Sequence, residues 1–361
     1  MDRATVTGIS LKLPATVRDN TFWSAGTVER WMQKPKRSNV LVAEASESLT
    51  AWQRRIVEEM AAANAMPFLG TKERRVFKAD ESIVEFELSA ARAAMADAGI
   101  APQALDFLIS YSAVPEYLHT TGNGPLLHRE LGLRPDARTI FVEAACNSFQ
   151  AQLDIADMLI ATGQGKLGLL TQSAAASRVL DLEDPASLLF GDGASAAVVG
   201  RAADGFGVLS SAHLTDGSVY GGTVTSVPGR RWYEAGAVVF HANDRALGRK
   251  MLLSIADAAE DVSKRALAKA GVSAKEIRFF AGHQAVSWVQ RIMQEAAGVA
   301  HAKRVDTFPY CGTLTASNLP ASLSIGAKEG LLREGDLVLL CSGASGQTLS
   351  STVMRWGGAR K

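Results

Sequence analysis

The sequence has 361 residues, of which 47% are hydrophobic and 21% charged, as in ordinary globular proteins of two or three domain-sized units. Its 38 basic and 37 acidic residues give a net charge of +1, which excludes the basic footprint of a nucleic-acid-binding protein. Three cysteines without metal-ligand spacing provide neither a disulfide framework nor a metal site. No stretch approaches 18 apolar residues and no signal peptide is apparent, so we expect a soluble, cytoplasmic protein without membrane partners.

The first hundred residues are predicted to begin with a strand and to end with a helix. Residues 4–13 alternate as an opening strand that Pro14 ends. Residues 20–66 have no clear register and are predicted to be a helical insertion. A long apolar pattern then predicts a helix from about Glu81 to Ala98, ended by a glycine.

Cys146 lies at a predicted corner between a strand and a helix. The β-branched and aromatic residues 139–142 indicate the end of a buried strand, and apolar residues recur three and four apart after Cys146, up to Gly163. The start of a helix gathers unpaired N–H groups and the positive end of the dipole, which favour a thiolate and can bind an oxyanion. Cys146 is therefore a candidate nucleophile, and the alternative is a small apolar side chain packed at the corner.

The chain repeats itself at an offset of about 170 residues. At an offset of 172, the helix end at Gly99 and its following apolar strand match the helix end at Gly271 and the strand before His283. At an offset of 170, residues 167–173 match residues 337–343. Two such matches in one chain indicate a duplicated architecture.

The repeat predicts two halves, residues 1–202 and 203–361, in which helices alternate with apolar strands. Such alternation is typical of mostly parallel sheets covered by helices. Active sites in open α/β sheets lie at the carboxyl ends of the strands. The repeat places the Cys146 corner opposite its counterpart near residues 315–318 and places His283 just past its own strand. We therefore expect Cys146 and His283 to converge.

Five motifs carry a resemblance to a known family: Lys72-Glu-Arg-Arg75, Glu143-Ala-Ala-Cys146, Phe190-Gly-Asp-Gly-Ala-Ser-Ala-Ala197, Gly282-His-Gln-Ala285 and a glycine-containing turn before the last strand. In this order and at these spacings, the chain resembles the thiolase-fold condensing enzymes, most closely the ketoacyl-ACP synthase III type. The resemblance runs from Gly8 to Trp356 and is weakest in residues 20–66. It implies an α/β thiolase-like fold with helix/sheet/helix/sheet/helix layers.

The resemblance implies a role for several residues. Cys146 matches the acyl-accepting nucleophile and His283 the active-site histidine, although a lone histidine is more often structural. Gly346 matches the glycine whose N–H completes the oxyanion hole with the N–H of Cys146. Phe190 opens a tight turn beside the cysteine, for which a structural role and a substrate contact are both open.

The loop before Pro320 departs from the family. Decarboxylating members carry an Asn where this chain has Thr313, and the His and Asn together stabilise the enolate that decarboxylation creates. A Thr hydroxyl has one donor and a shorter reach, so we expect poor decarboxylation of malonyl thioesters. Asn318 is a second candidate contact to substrate, but it lies at a predicted helix start, where an Asn cap is favoured.

A second departure concerns the carrier. The family's adenine-clamping Trp and nearby Arg fall on Asn64 and Phe68, so the resemblance does not carry over the usual coenzyme A grip. Either the donor is an acyl carrier protein, or Trp23, Trp31 or Trp52 forms a different mouth. The resemblance implies an acyl-CoA or carrier-protein phosphopantetheine thioester as substrate, no permanently bound cofactor and no metal.

Several functions share the same first step, acylation of Cys146. The acyl group then passes either to a carbon nucleophile by Claisen condensation or to a hydroxyl or amine with His283 as general base. Loss of the family Asn favours specialised metabolism, including the alkylquinolone-forming type, over housekeeping initiation of fatty-acid synthesis. A non-catalytic partner subunit is the remaining alternative, although Cys146 and His283 argue against it. We expect a homodimer, or a heterodimer with a paralogue, formed through an apolar strand such as 104–111 or 167–173.

Overall fold

Helices surround and separate two β-sheets in the computed structural model, which describes residues 2–33, 49–118 and 122–360. The α-helices of these parts of the chain are α1 Ala25–Gln33, α2 Ala51–Ala65, α3 Ile83–Ala98, α4 Gly124–Leu131, α5 Ser148–Ala161, α6 Arg245–Ala270, α7 Val289–Ala296, α8 Phe308–Cys311 and α9 Asn318–Lys328. The strands are β1 Ala4–Lys12, β2 Val17–Asp19, β3 Glu73–Arg75, β4 Phe107–Ser112, β5 Arg138–Phe141, β6 Leu167–Ala174, β7 Gly193–Arg201, β8 Gly207–Thr215, β9 Thr223–Ser226, β10 Val239–Ala242, β11 Ile277–Gly282, β12 Leu337–Gly343 and β13 Thr348–Arg355.

The first sheet has the strand order β1-β7-β6-β4-β5, and the second has the order β11-β12-β13-β8. Parallel pairing joins β4 to β5 and β6, and β11 to β12, whereas the other four pairs are antiparallel. The prediction of mostly parallel sheets is therefore wrong. The short turn between β12 and β13 leaves no room for the helical crossover that parallel pairing needs. Division of the chain at residue 202 stays a prediction.

The layers follow from which helices bury their apolar faces between the sheets. Phe149 and Leu153 of α5 and Leu323 of α9 belong to one buried cluster with Ile109 of the first sheet and Leu340 of the second. A second cluster packs α3 and α4 on the outer face of the first sheet, and a third packs α6 and α7 on the second sheet. This arrangement gives the helix/sheet/helix/sheet/helix layers that the sequence predicts.

Backbone geometry repeats between the halves. Helices α3 and α6 both end at a left-handed glycine, Gly99 with φ 66° and Gly271 with φ 65°. The corners before α5 and α9 each contain a non-glycine residue with positive φ, Ala145 at 47° and Thr315 at 51°. Positive φ is strained for residues with a Cβ, so its recurrence 170 residues apart marks two equivalent corners.

The insertion predicted for residues 20–66 contains α1 and α2, while residues 34–48 lie outside the described part of the chain. Trp23 and Trp31 are buried against Leu188 in a small cluster of their own. Trp52, on α2, donates from Nε1 to Glu260 on α6 at 3.0 Å. In the described ranges, no helix combines the length and apolarity needed to cross a membrane.

Strand β5 forms the open edge of the first sheet next to the Cys146 corner. Residues 104–111 and 167–173, predicted as possible dimer strands, fall largely on β4 and β6, which are interior and already paired on both sides. The N–H groups of Arg138 and Val142 donate to the β4 side, to Asp106 at 2.9 Å and to Ser110 at 3.1 Å. Because donors alternate along a strand, the Thr139 N–H faces the open edge.

We therefore predict a dimer formed by pairing of β5 with β5 of a second subunit. Thr139→Pro removes the outward N–H without touching a bond to β4, so sedimentation velocity should show dissociation to monomers. Thr139→Ala, which keeps the N–H, should remain dimeric. A wild-type protein that sediments as an active monomer would contradict the prediction.

Candidate active site

The Cys146 corner is a single 3₁₀ turn, Ala145–Asn147, between β5 and α5. The second half of the chain holds it from two sides. Ser342 Oγ donates to the carbonyl oxygen of Cys146 at 3.1 Å, and Asn147 Nδ2 donates to Ser350 Oγ at 2.8 Å. The predicted strand-to-helix corner is confirmed, and Cys146 is positioned by both halves.

His283 follows the last residue of β11 and is held by the neighbouring strand. Its backbone N–H donates to the carbonyl of Cys341 on β12 at 3.0 Å. The side chain is only 4% exposed, and its Nδ1 lies 2.9 Å from Nδ2 of Asn318. The ring is therefore fixed at both its backbone and its inner nitrogen.

One cavity of about 1100 Å³ connects the residues that the sequence singles out. Cys146, His283, Phe190, Thr313 and Gly346 all line it. Much of the remaining wall is apolar, and the apolar residues include Met60, Val179, Leu180, Leu252, Ile255 and Leu349. Convergence of residues from both halves on one apolar cavity is the arrangement expected of a small-molecule site.

The turn that begins at Phe190 has a structural role, and Phe190 itself lines the cavity, while its contact with substrate stays a prediction. A Cβ at Gly191 would lie 1.9 Å from the carbonyl oxygen of Cys311, so only glycine fits there. The Gly191 N–H donates to the carbonyl of Thr313 at 3.1 Å, which fixes the Thr313 loop. The Phe190 ring lines the cavity and packs edge-on against Phe240.

Asn318 is not the helix cap that the sequence favours. It is the first residue of α9, whose N-cap is Ser317, and that end has no side-chain cap. Asn318 is fully buried, and its Oδ1 accepts from the N–H of Leu314, which precedes the helix. Its Nδ2 contacts His283 Nδ1 at 2.9 Å and Thr313 Oγ1 at 3.0 Å. Asn318 therefore lies behind the two cavity-lining side chains rather than in the cavity wall.

Burial controls the protonation of both central groups. It raises the pKa of the Cys146 thiol to about 12, opposed by the backbone N–H of Cys146 itself. This is the reverse of the thiolate that the helix-start position predicts. Burial also lowers the pKa of His283 to about 4, so its imidazole is neutral at pH 7. Burial also raises the pKa of Tyr111.

Two cavity-lining residues in the described part of the chain carry a backbone N–H without a backbone acceptor. One is Cys146, and the other is Gly346, with φ 82° in the turn between β12 and β13. Within the described residues, neither donates to a backbone carbonyl. Backbone donors beside the candidate nucleophile are what an oxyanion hole requires. Across the same ranges, no group of three or more His, Cys, Asp or Glu side chains could hold a metal ion.

The sequence analysis did not predict one part of the cavity wall, and it offered aromatic residues for the mouth that lie elsewhere. Helix α6 supplies Arg245, Arg249 and Leu252 to the cavity, and no motif distinguishes them from an ordinary amphipathic face. None of Trp23, Trp31 and Trp52 lines the cavity: the first two are buried in a cluster of their own, and Trp52 donates to Glu260.

The matches of the sequence to family models and to a known relative agree with the matches of the fold to solved structures. The model for 3-oxoacyl-[acyl-carrier-protein (ACP)] synthase III matches residues 142–217, and the model for its C-terminal part matches residues 267–356. β-Ketoacyl-[acyl-carrier-protein] synthase III of Aquifex aeolicus is 28% identical over 292 residues, covering 80% of this chain and 88% of that protein. The priming β-ketosynthase of the R1128 polyketide biosynthetic pathway superposes with a TM-score of 0.79 at 22% identity, over 99% of this chain and 98% of its own. A variant of Xanthomonas campestris OleA gives 0.75 at 18% identity, over 98% of each chain.

The raised thiol pKa generates a prediction about reactivity. Because the Cys146 thiol is protonated well above neutral pH, its thiolate fraction grows about tenfold per pH unit between about pH 7 and 9. Carbamidomethylation of Cys146 by iodoacetamide, followed by intact mass and peptide mapping, should accelerate in proportion. N-acetylcysteine, whose rate of alkylation levels off near its own pKa, serves as the reference. A rate that levels off below pH 7 would show that the helix start outweighs burial.

Proposed function

Because the chain belongs to the ketoacyl-ACP synthase III-like family of thiolase-fold enzymes, we propose that it takes an acyl group from a thioester onto Cys146 and joins it to a carbon nucleophile. The observation that carries this proposal is the shared cavity, into which Cys146, His283, Thr313 and the oxyanion donor Gly346 all open. We place the reaction in specialised metabolism rather than in the initiation of fatty-acid synthesis.

The first half-reaction uses the Cys146 corner. The Cys146 thiol gives its proton to solvent, and Sγ attacks the acyl carbonyl of the incoming thioester. The N–H groups of Cys146 and Gly346 hold the tetrahedral oxyanion. The bond from the acyl carbon to the carrier sulfur then breaks, the carrier thiol leaves with a proton, and an acyl-cysteine remains.

The second half-reaction depends on His283. A general base works best with a pKa near the operating pH, and burial holds the pKa of His283 near 4. Such an imidazole is a weak base for deprotonating a hydroxyl or an amine. As a neutral donor, it can hold the enolate oxygen of an acceptor thioester that arrives already nucleophilic. The enolate carbon attacks the acyl carbonyl, and the bond from that carbonyl to Sγ of Cys146 breaks. This favours formation of a carbon–carbon bond over transfer to oxygen or nitrogen.

Cavity size and charge indicate the substrate class. A volume of about 1100 Å³ lies at the upper end for small-molecule sites and exceeds what an acetyl group needs. We therefore propose a larger apolar acyl group. Arg245 and Arg249 line the cavity from the first turns of α6 and suit the phosphate of a phosphopantetheine arm. That arm is common to coenzyme A and acyl carrier protein, and both remain candidate carriers.

Replacing the nucleophile tests the first half-reaction. Cys146→Ala should abolish the covalent adduct formed with a panel of acyl-CoA and acyl-carrier-protein thioesters, measured by intact-protein mass spectrometry. The matched control Cys311→Ser should keep the adduct, and the panel identifies the acyl group and its carrier. An adduct that persists in Cys146→Ala would show that Cys146 is not the acylated residue. Absence of any adduct in the wild type would favour a non-catalytic partner subunit.

Thr313 tests the second half-reaction. Wild-type enzyme should acylate readily yet release little carbon dioxide from malonyl-CoA or a malonyl carrier protein. An Asn at 313 could accept from Asn318 through Oδ1 and present Nδ2 to the cavity, so Thr313→Asn should raise the release about tenfold or more. Thr313→Val, which fills the same space without a donor, should not. Brisk release by the wild type would contradict the proposal that the acceptor arrives already nucleophilic.

A further inference from the structure

The orientation of the Asn318 amide is set by a backbone donor. Oδ1 accepts from the N–H of Leu314 at 3.0 Å, and a backbone N–H cannot act as an acceptor. Reversing the amide would place Nδ2 against that N–H and bring two donors together. Nδ2 must therefore face His283 and Thr313, and its two hydrogens match these two acceptors at 2.9 and 3.0 Å.

This orientation determines the tautomer of His283. An acceptor at Nδ1 carries no proton, so a neutral imidazole must carry its proton on Nε2. His283 is buried and lines the cavity, and Asn318 occupies Nδ1 from behind. The nitrogen left for the substrate is therefore an N–H donor.

The same amide acts on Thr313. Its Oγ1 accepts from Asn318 Nδ2 at 3.0 Å and from the N–H of Thr315 at 3.4 Å. A hydroxyl has two lone pairs and one proton, so two incoming donors leave the proton as the group still available. Thr313 lines the cavity, and the hydroxyl proton can be donated there.

We infer that Asn318 is a positioning residue that holds His283 as an Nε2–H donor and Thr313 as a hydroxyl donor, giving the cavity a fixed donor pair. The inference rests on the proposed function and deepens it. A site with two donors and no basic nitrogen can hold the oxygen of an enolate or thioester. It lacks the base needed to activate a hydroxyl or amine acceptor.

The equivalent corner in the first half of the chain shows which part of the role of Asn318 is purely structural. Ser148 stands 170 residues before Asn318, at the start of α5. Its Oγ accepts from the N–H of Ala144 at 2.9 Å, the same bond to the residue four before that Asn318 makes to Leu314. One serine oxygen is thus enough to close such a corner. The amide group of Asn318 is additional to that need.

The tautomer can be measured without any substrate. We propose two-bond ¹H–¹⁵N correlation spectra of full-length protein with ¹⁵N-labelled histidine, the His283 signals being assigned by their loss in His283→Gln. The expected result is a neutral ring with protonated Nε2 and unprotonated Nδ1. A neutral ring protonated at Nδ1 overturns the inference, whatever the reaction proves to be.

Asn318→Ser tests the dependence on the amide. Serine can still close the corner, as Ser148 does, but it has no amide for His283 or Thr313. We expect His283 to populate both tautomers and condensation to fall about tenfold or more. Ser148→Ala, which loses the equivalent corner bond, should leave the His283 tautomer unchanged. Asn318→Ser with an unaltered tautomer and undiminished condensation overturns the inference.

Asn318→Asp replaces the donor that faces His283 and Thr313 with a carboxylate oxygen, which is an acceptor. One carboxylate oxygen can accept from Leu314 and the other from a proton on Nδ1, which leaves Nε2 of His283 as a base. Water should then attack the acyl-cysteine, the carbon–sulfur bond should break, and a carboxylic acid and the free Cys146 thiol should form. We expect a shorter lifetime of the adduct in mass spectra and a shift to the Nδ1–H tautomer. An unchanged tautomer in this variant counts against the inference.

The two proposals fail separately. Spectra that show the Nε2–H tautomer, with no acyl adduct on wild-type Cys146, would overturn the function and leave the donor pair. Adduct formation and condensation, together with an Nδ1–H tautomer, would support the function and overturn the donor pair.

Discussion

The candidate active site depends on burial of two helix starts between two sheets. Helices α5 and α9 pack in the central layer, and the corners that precede them meet there. Buried contacts join the layers at this level, since Ser195 Oγ donates to Ser317 Oγ at 2.9 Å and Ser342 donates to Cys146. Each corner is strained by one residue with positive φ, Ala145 or Thr315. Only a tightly packed central layer keeps such strain in place, and the same packing fixes the reacting groups.

Burial at this depth also sets the chemistry. Removing charged forms from water raises the pKa of a thiol and lowers that of an imidazole, so both Cys146 and His283 are neutral at pH 7. A site of neutral donors gains most where negative charge develops, because hydrogen bonds are stronger in a low dielectric. Both the tetrahedral oxyanion and an acceptor enolate fit that description. A general-base mechanism would instead require a charged histidine in an apolar cavity.

The sequence pattern predicted the features that depend on residues close together in the chain. The change from strand to helical period located the Cys146 corner, and the glycine stops located the ends of α3 and α6. Sheet direction was predicted wrongly because the alternation of helices and strands was extended to β12 and β13, whose short connecting turn permits only antiparallel pairing. Asn318 was assigned as a cap because position in sequence cannot show a partner 35 residues away. Trp23 and Trp31 were misplaced since aromatic content does not indicate which surface is covered.

Thr313 and Asn318 are best understood as one unit. A buried amide has two hydrogens, and leaving either without an acceptor costs about 1–3 kcal/mol. Asn318 directs one hydrogen to His283 and the other to Thr313, so its presence requires an acceptor at position 313. Threonine meets that requirement and still has a proton to donate to the cavity. The departure from the family at Thr313 therefore replaces an amide with a hydroxyl that has one proton and a shorter reach. It is also the acceptor that allows an amide at 318 to fix the histidine.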